Sequence, residues 1–272
     1  MSSPLVSGNR VGSGRRLIES DSFPFEFVSE LAEMESWRKE VYRPIYHIHK
    51  WWANRLGSVF RAILLGSALP DDESLAKAFY RQHDFSGLTV FDPFMGSGTT
   101  VGEAHKLGFT ALGRDINPVA CESVRVAMGP LDRDALLGAF GQLSAGVGER
   151  IRGLYRSADQ AGHECDALYF FFAWQRLGPS PFVNRRSSTR HAEEVQDASA
   201  ERFSRKLRAV FRECHRGLRD DGLLVFTYHH SRADGWTSLA EAVVGAGFDL
   251  VNAHPLKAEM SVAAPKSQAK EP

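Results

Sequence analysis

The spacing of apolar residues changes several times along the chain, and each change marks an element. Leu88-Thr-Val-Phe-Asp92 is a short β-rich run. It passes into Pro93-Phe-Met-Gly96-Ser-Gly98-Thr-Thr100, from which a helix is predicted to reach Leu107, with Gly108 as its stop signal. Phe109 to Arg114 reads as a second strand and ends at Asp115-Ile-Asn-Pro118, where the proline opens a helix to about Met128. Strand, glycine-rich turn, helix, strand and acid, in that order, predict an α/β fold built on a right-handed βαβ unit.

Residues 131 to 160 read mostly as helix, Ala167 to Trp174 as a buried strand, and Gly178 to Arg190 as a loop. Ala200 to Leu218 is an amphipathic helix with Phe203, Leu207, Val210, Phe211, Cys214 and Leu218 on one stripe. Leu223 to Tyr228 and Phe248 to Asn252 are predicted strands around a helix from Trp236 to Ala246. Before the first strand, a helix is expected from about Trp52, with Val59, Ile63 and Leu64 on one face. Residues 1–20 are expected to be a flexible arm and 261–272 a disordered tail, which leaves 21–260 as a single domain.

Composition narrows the function. The chain has 272 residues, with 33 Lys+Arg balancing 33 Asp+Glu, so any contact with nucleic acid must use local patches rather than bulk charge. Cys121, Cys165 and Cys214 lie far apart and form no CxxC pair, so neither a disulfide framework nor a zinc ribbon is expected. A reducing cytoplasm follows as the expected location, with no membrane partner: the longest apolar run, Ala167 to Trp174, falls well short of the roughly 20 residues that span a bilayer.

The chemistry concentrates where the first strand meets its turn. Glycines there let a ligand approach the backbone, and free N–H groups at the helix start favour a carboxylate or phosphate. Asp115, at the end of the next strand, is placed to accept hydrogen bonds from a ribose. A P-loop is excluded because Thr99 stands where the phosphate lysine would be. A dinucleotide fingerprint is excluded because Val101 stands at the third glycine. S-adenosylmethionine (AdoMet) remains. Between Arg38 and Arg61 six Lys/Arg surround Trp51 and Trp52, with Glu40 the one acid.

Phe91-Asp-Pro-Phe-Met-Gly-Ser-Gly-Thr-Thr100 with GEAHKLGFTALGRDINPVA resembles motifs I and II of amino-group DNA methyltransferases. Tyr46-His-Ile-His-Lys-Trp-Trp-Ala-Asn-Arg55 is similar to the HKWWA signature of the DUF1156-type adenine-specific DNA methylases, and Leu223 to His230 resembles their C-terminal block. The resemblance covers roughly residues 25 to 127 and 200 to 260. It implies a Rossmann-like class I methyltransferase sheet with helices on both faces, here with a shortened centre, since five strands are visible where seven are usual. It also implies transfer of a methyl group from AdoMet to an exocyclic base amine of DNA. Adenine N6 is the favoured target and cytosine N4 the other.

The implied roles fall on particular residues. Asp92 and the backbone of Phe94, Gly96, Ser97 and Gly98 would hold the methionine part of AdoMet, with Thr99 or Thr100 on its carboxylate. Asp115 would take the ribose, and His49, Lys50 and Trp51 would close the methionine side. A complementary methyltransferase or a restriction-system subunit is an implied partner.

At one place the family pattern fails. The catalytic string of such enzymes is Asp/Asn/Ser-Pro-Pro-aromatic, and no Pro-Pro pair exists in this chain. The nearest string is Pro179-Ser180-Pro181-Phe182. It is read in two ways: a variant motif in which Ser180 accepts an amine hydrogen and Phe182 stacks on the base, or a plain turn left where the family's zinc-ribbon and catalytic segment would stand. The second reading makes the chain a non-catalytic binding module. An RNA amino-methyltransferase is a third possibility, because those enzymes share motifs I and II. Arg185, Arg186 and Arg190, interleaved with Ser187 to Thr189, are the expected phosphate contacts. His229 and His230 alternate along their expected strand and cannot chelate one metal; His47 and His49 share a face without a third ligand, so no metal is expected.

Overall fold

A computed structural model of the chain describes residues 6–7, 14–37, 51, 54–158, 164–166, 195, 197, 199–230 and 233–256. The chain divides into two compact units, one of residues 1–124 and 187–272 and the other of 125–186. The sequence pattern carried no sign of that division.

In the first unit, β1 (Val6–Ser7) pairs parallel with β2 (His83–Asp84). Leu17 and Ile18 then make a short 3₁₀ turn and are buried in the core. The expected flexible arm of residues 1–20 therefore does not extend to its expected end: two adjacent aliphatic side chains find a place between helices and tie it down. Helix α1 (Phe25–Trp37), which the sequence reading did not include, buries Val28, Leu31 and Ala32 at the i, i+3, i+4 spacing of one helical face.

Helix α2 (Gly57–Ala68) packs on α1 and buries Val59, Ala62, Ile63 and Leu65. It begins five residues later than the expected Trp52, because Leu56 is extended (φ −74°, ψ 121°) and the cap comes from another helix. The carboxylate of Glu35 in α1 accepts hydrogen bonds from the N–H groups of Gly57 (3.1 Å) and Ser58 (2.9 Å) and from the Ser58 hydroxyl. These satisfy donors that a helix start leaves without intrahelical partners. Glu35→Ala is expected to lower stability by about 1–2 kcal/mol in urea unfolding, the usual cost of a lost cap. A change below 0.3 kcal/mol would mean that water replaces the carboxylate.

A short helix α3 (Leu75–Phe79) follows. Then β3 (Thr89–Asp92) and β4 (Thr110–Gly113) form a parallel pair in the register Thr89↔Thr110 through Asp92↔Gly113, connected by helix α4 (Thr99–Lys106). Helix α5 (Pro118–Met128) comes next. The second unit holds helix α6 (Arg133–Tyr155) and the antiparallel pair β5 (Arg156–Ala158) and β6 (Glu164–Asp166).

Helices α7 (Ala200–Gly217) and α8 (Ala233–Gly245) return to the first unit and share a cluster of Leu207, Phe211, Leu239, Ala242 and Ala246. Ser199 caps α7 by accepting from the N–H of Arg202. Beside it, Asp197 accepts from the Ser199 N–H and the Arg202 guanidinium, and these bonds hold its carboxyl down at about 2.

Helices and strands are thus mixed, with a small parallel sheet. Two expected strands are corrected. Residues 223–228 and 248–252 join no ladder among the described residues. Leu223 packs on the main core, and Leu224, Tyr228 and Phe248 pack on the α7–α8 cluster. Burial explains part of the apolar pattern, although Val225, Phe226, Leu250 and Val251 are exposed, while the pairing that defines a strand depends on a neighbour that these described residues lack. The expected strand Ala167 to Trp174 lies outside the described residues. Among the described residues no helix is long and apolar enough to cross a membrane.

Candidate functional site

The turn between β3 and α4 is fixed by a run of hydrogen bonds from both strands. Asp92 Oδ1 accepts from the N–H of Phe94 (2.9 Å), folding the chain back at the strand end. The Arg114 N–H donates to Asp92 O (2.9 Å), and the Met95 N–H donates to Arg114 O (3.1 Å). The β3–β4 pairing thus continues into the turn. The Gly98 N–H closes it on Met95 O (2.7 Å).

Asp115 is the second anchor. Its Oδ2 accepts from the Gly96 N–H (2.8 Å) and its Oδ1 from the Asn117 N–H (2.7 Å). One carboxylate therefore holds both the glycine turn and the start of the loop into α5. Each oxygen keeps a lone pair for a further donor. Asn117 Oδ1 accepts from the Val119 N–H (3.0 Å) at the first turn of α5.

Both turn glycines have left-handed backbones, φ +50° at Gly96 and +82° at Gly98. Gly98 is the residue before α4, so the first-turn amides of that helix have no intrahelical acceptor and point out of its N-terminus. Behind the turn, Met95, Val101 and Val124 form a small cluster with Ala111 and Cys121. A Cβ on Gly98 would lie 2.5 Å from Val124 Cγ2, and one on Gly113 would lie 2.4 Å from Met95 Sδ.

In front of the turn stands the segment before α2. The Trp51 indole Nε1 lies 3.4 Å from where a Cβ on Gly96 would be. Asn54 Oδ1 accepts hydrogen bonds from the hydroxyls of Ser97 and Thr99, the latter at 3.0 Å. The structure thus brings together Trp51, Asp92, Gly96, Ser97, Gly98, Thr99 and Asp115. Phe94 is half exposed beside them, and Thr100 is half buried in the first turn of α4. Asn54 is the residue the sequence reading missed. Its partners are 43 and 45 positions away, and the one available signal was a short amide two residues after the tryptophan pair.

His49 and Lys50, the catalytic candidates Ser180, Pro181 and Phe182, and the phosphate candidates Arg185, Arg186 and Arg190 lie outside the described residues. His229 is exposed, and His230 stacks on the Tyr228 ring with centroids 6.2 Å apart. Burial pushes the Tyr228 phenol above its ordinary range, and its hydroxyl donates to Gly235 O (3.0 Å). Among the described residues no three His, Cys, Asp or Glu side chains converge as a metal site would require.

Two left-handed glycines, outward-pointing helix amides, an indole and a carboxylate just past the following strand thus meet at the β3–α4 turn. Residues 72–126, which contain the strand–turn–helix–strand part of this site and Asp115 but neither Trp51 nor Asn54, match the model of a DNA methylase family, the N6/N4 methyltransferases. The chain is also similar to the type II methyltransferase M.MjaII of Methanocaldococcus jannaschii, at 26% identity over 120 residues, covering 38% of this chain and 22% of that protein. The match therefore spans about a fifth of the relative's length. No solved structure matches the chain.

Proposed function

We propose that the chain is an AdoMet-dependent DNA methyltransferase that modifies an exocyclic base amine, adenine N6 in first place and cytosine N4 in second. The observation that carries the reading is the match of residues 72–126 to DNA methylases across a unit whose Asp115 is bonded to the Gly96 amide.

The residues present fit the cofactor. A Cβ on Gly96 would stand in van der Waals contact with the Trp51 indole, 3.4 Å from Nε1, so the glycine leaves that space beside the ring open, at a φ of +50° that other residues rarely adopt. The turn from Phe94 to Gly98 and the first-turn amides at Thr99 and Thr100 would hold the methionine end. Asp115 would use its remaining lone pairs on the ribose hydroxyls. Asp92 shapes the turn, and Trp51, with His49 and Lys50, closes the methionine side. When bound, AdoMet supplies a methyl group activated by the sulfonium.

For the base, Ser180 accepts one amine hydrogen and so frees the nitrogen lone pair, Pro181 holds the loop, and Phe182 stacks on the flipped-out ring. Arg185, Arg186 and Arg190 take backbone phosphates. With one proline of the usual pair missing, the second hydrogen-accepting carbonyl is less firmly fixed. A misplacement of about 1 Å costs on the order of 100-fold in rate, so weak transfer is expected.

Tritium transfer from labelled AdoMet to DNA and RNA pools tests the proposal. Label in DNA supports it, and Ser180→Ala is then expected to remove most of the transfer with AdoMet affinity unchanged. Label in RNA alone sinks the DNA reading in favour of an RNA amino-methyltransferase. Robust transfer that survives Ser180→Ala removes the loop from catalysis. A second reading is favoured by the missing Pro-Pro pair: a non-catalytic AdoMet- and nucleic-acid-binding module, or a subunit that complements another methyltransferase or a restriction system. AdoMet binding with no label in either pool is its signature.

A further inference from the structure

Asn54 has no role in the motif pattern, yet it is where the tryptophan-bearing segment meets the glycine turn. Its N–H donates to Trp51 O (3.2 Å), and its Oδ1 accepts from the hydroxyls of Ser97 and Thr99, the residues on either side of Gly98. A hydroxyl has one proton and two lone pairs. Both protons are directed at Asn54 Oδ1; the other oxygens near Thr99 Oγ1, Arg55 O and Ser97 Oγ, are each farther away at 3.5 Å. In this state the two hydroxyls can offer a ligand lone pairs and no donor. A carboxylate finds nothing to accept from them and must use the first-turn amides of α4. An ammonium group, which only donates, suits them.

We infer that Asn54 is a positioning residue that fixes Ser97 and Thr99 as acceptors for the α-ammonium of the cofactor's methionine end, so that the turn selects a ligand with a free amino group. The inference rests on the AdoMet reading of the turn. It separates the two charges of the amino-acid end: the carboxylate goes to the helix amides and the ammonium to the hydroxyls.

Calorimetry with three ligands tests it. AdoMet has the ammonium and the carboxylate, decarboxylated AdoMet has only the ammonium, and 5′-methylthioadenosine has neither. Asn54→Ala is expected to weaken AdoMet and decarboxylated AdoMet by about tenfold each, the scale of one charge-assisted hydrogen bond, and to leave 5′-methylthioadenosine unchanged. The double variant Ser97→Ala/Thr99→Val should show the same selective loss, and adding Asn54→Ala to it should cost nothing more. If the Asn54 variant does not fold, Ser97→Ala alone should give a smaller loss with the same ligand pattern.

An equal loss on all three ligands would make Asn54 a structural tie and overturn the inference. A loss confined to AdoMet would hand the hydroxyls to the carboxylate and also overturn it. Wild-type protein that binds none of the three removes the AdoMet reading itself and the inference with it. Binding by the wild type with the wrong selectivity removes the inference alone.

Discussion

Gly98→Ala is expected to abolish AdoMet binding to within calorimetric detection and to lower stability by about 2–5 kcal/mol. Two costs add. An alanine held at φ +82° crowds its own backbone, at about 1–2 kcal/mol. Its Cβ also meets Val124 Cγ2 at 2.5 Å, an overpacking that costs about 1–3 kcal/mol. Both strains fall on the residue just before α4, so the turn relaxes by moving the first-turn amides away from the ligand. The two costs can be separated. Val124→Ala removes the γ-methyls, so the double variant should regain the packing share and keep the backbone share. Thermal unfolding should therefore place it between wild type and Gly98→Ala, with affinity still impaired. A Gly98→Ala protein that binds AdoMet like wild type would take the turn out of the cofactor site.

The second large effect is expected at Asp115. Asp115→Ala leaves the N–H groups of Gly96 and Asn117 without their acceptor, costing about 1–3 kcal/mol of stability, softened where water can replace the carboxylate. It also removes the proposed ribose bonds, about another 1–3 kcal/mol of binding, or roughly 10- to 100-fold in affinity. Asp115→Asn should lie between. Its single amide oxygen can serve one of the two N–H donors, and its NH₂ then faces the other. The order wild type, Asn, Ala should appear in both the unfolding midpoint and the AdoMet dissociation constant. Equal affinity for all three proteins would show that Asp115 shapes the turn and touches no ligand. Asp92→Ala, which removes one turn-closing bond, the one to Phe94, should cost less stability than Asp115→Ala.

Where local chemistry decides structure, the sequence could be read nearly to the residue. The turn unit was expected as a strand to Asp92, a helix to Leu107, a strand to Arg114 and a helix from Pro118 to Met128. It is found as Thr89–Asp92, Thr99–Lys106, Thr110–Gly113 and Pro118–Met128. The signals are short-range: a glycine that can take positive φ, a proline that can open a helix, an acid at a strand end. The amphipathic stripe of α7 was legible for the same reason, because its period is internal to the helix.

What was not legible depends on partners far along the chain. The start of α2 is set by Glu35, 22 and 23 residues away, and no pattern around Trp52 announces it. The bond from Asn54 to the turn spans more than 40 residues. Residues 223–228 have strand composition, but composition cannot supply the neighbouring strand, and among the described residues they pack without pairing. Helix α1 is hard to read because Phe27 and Met34 fall off the stripe of Val28, Leu31 and Ala32 and blur its period.

The cluster behind the turn is small and largely separate from the main core. Met95, Val101 and Val124 pack together, and Ala111 touches both groups. A three-residue support can let go without the rest of the domain. The amides of Gly96 and Gly98 should therefore exchange with solvent deuterium through brief local openings, while those of Leu64 and Leu65 in the main core wait for global unfolding. A ligand seated on the turn would close those openings, so its arrival would register as slowed exchange at a handful of amides around Gly96 and almost nowhere else. By that account the free protein keeps its cradle on a hinge looser than its scaffold, and the ligand supplies part of the rigidity of its own site.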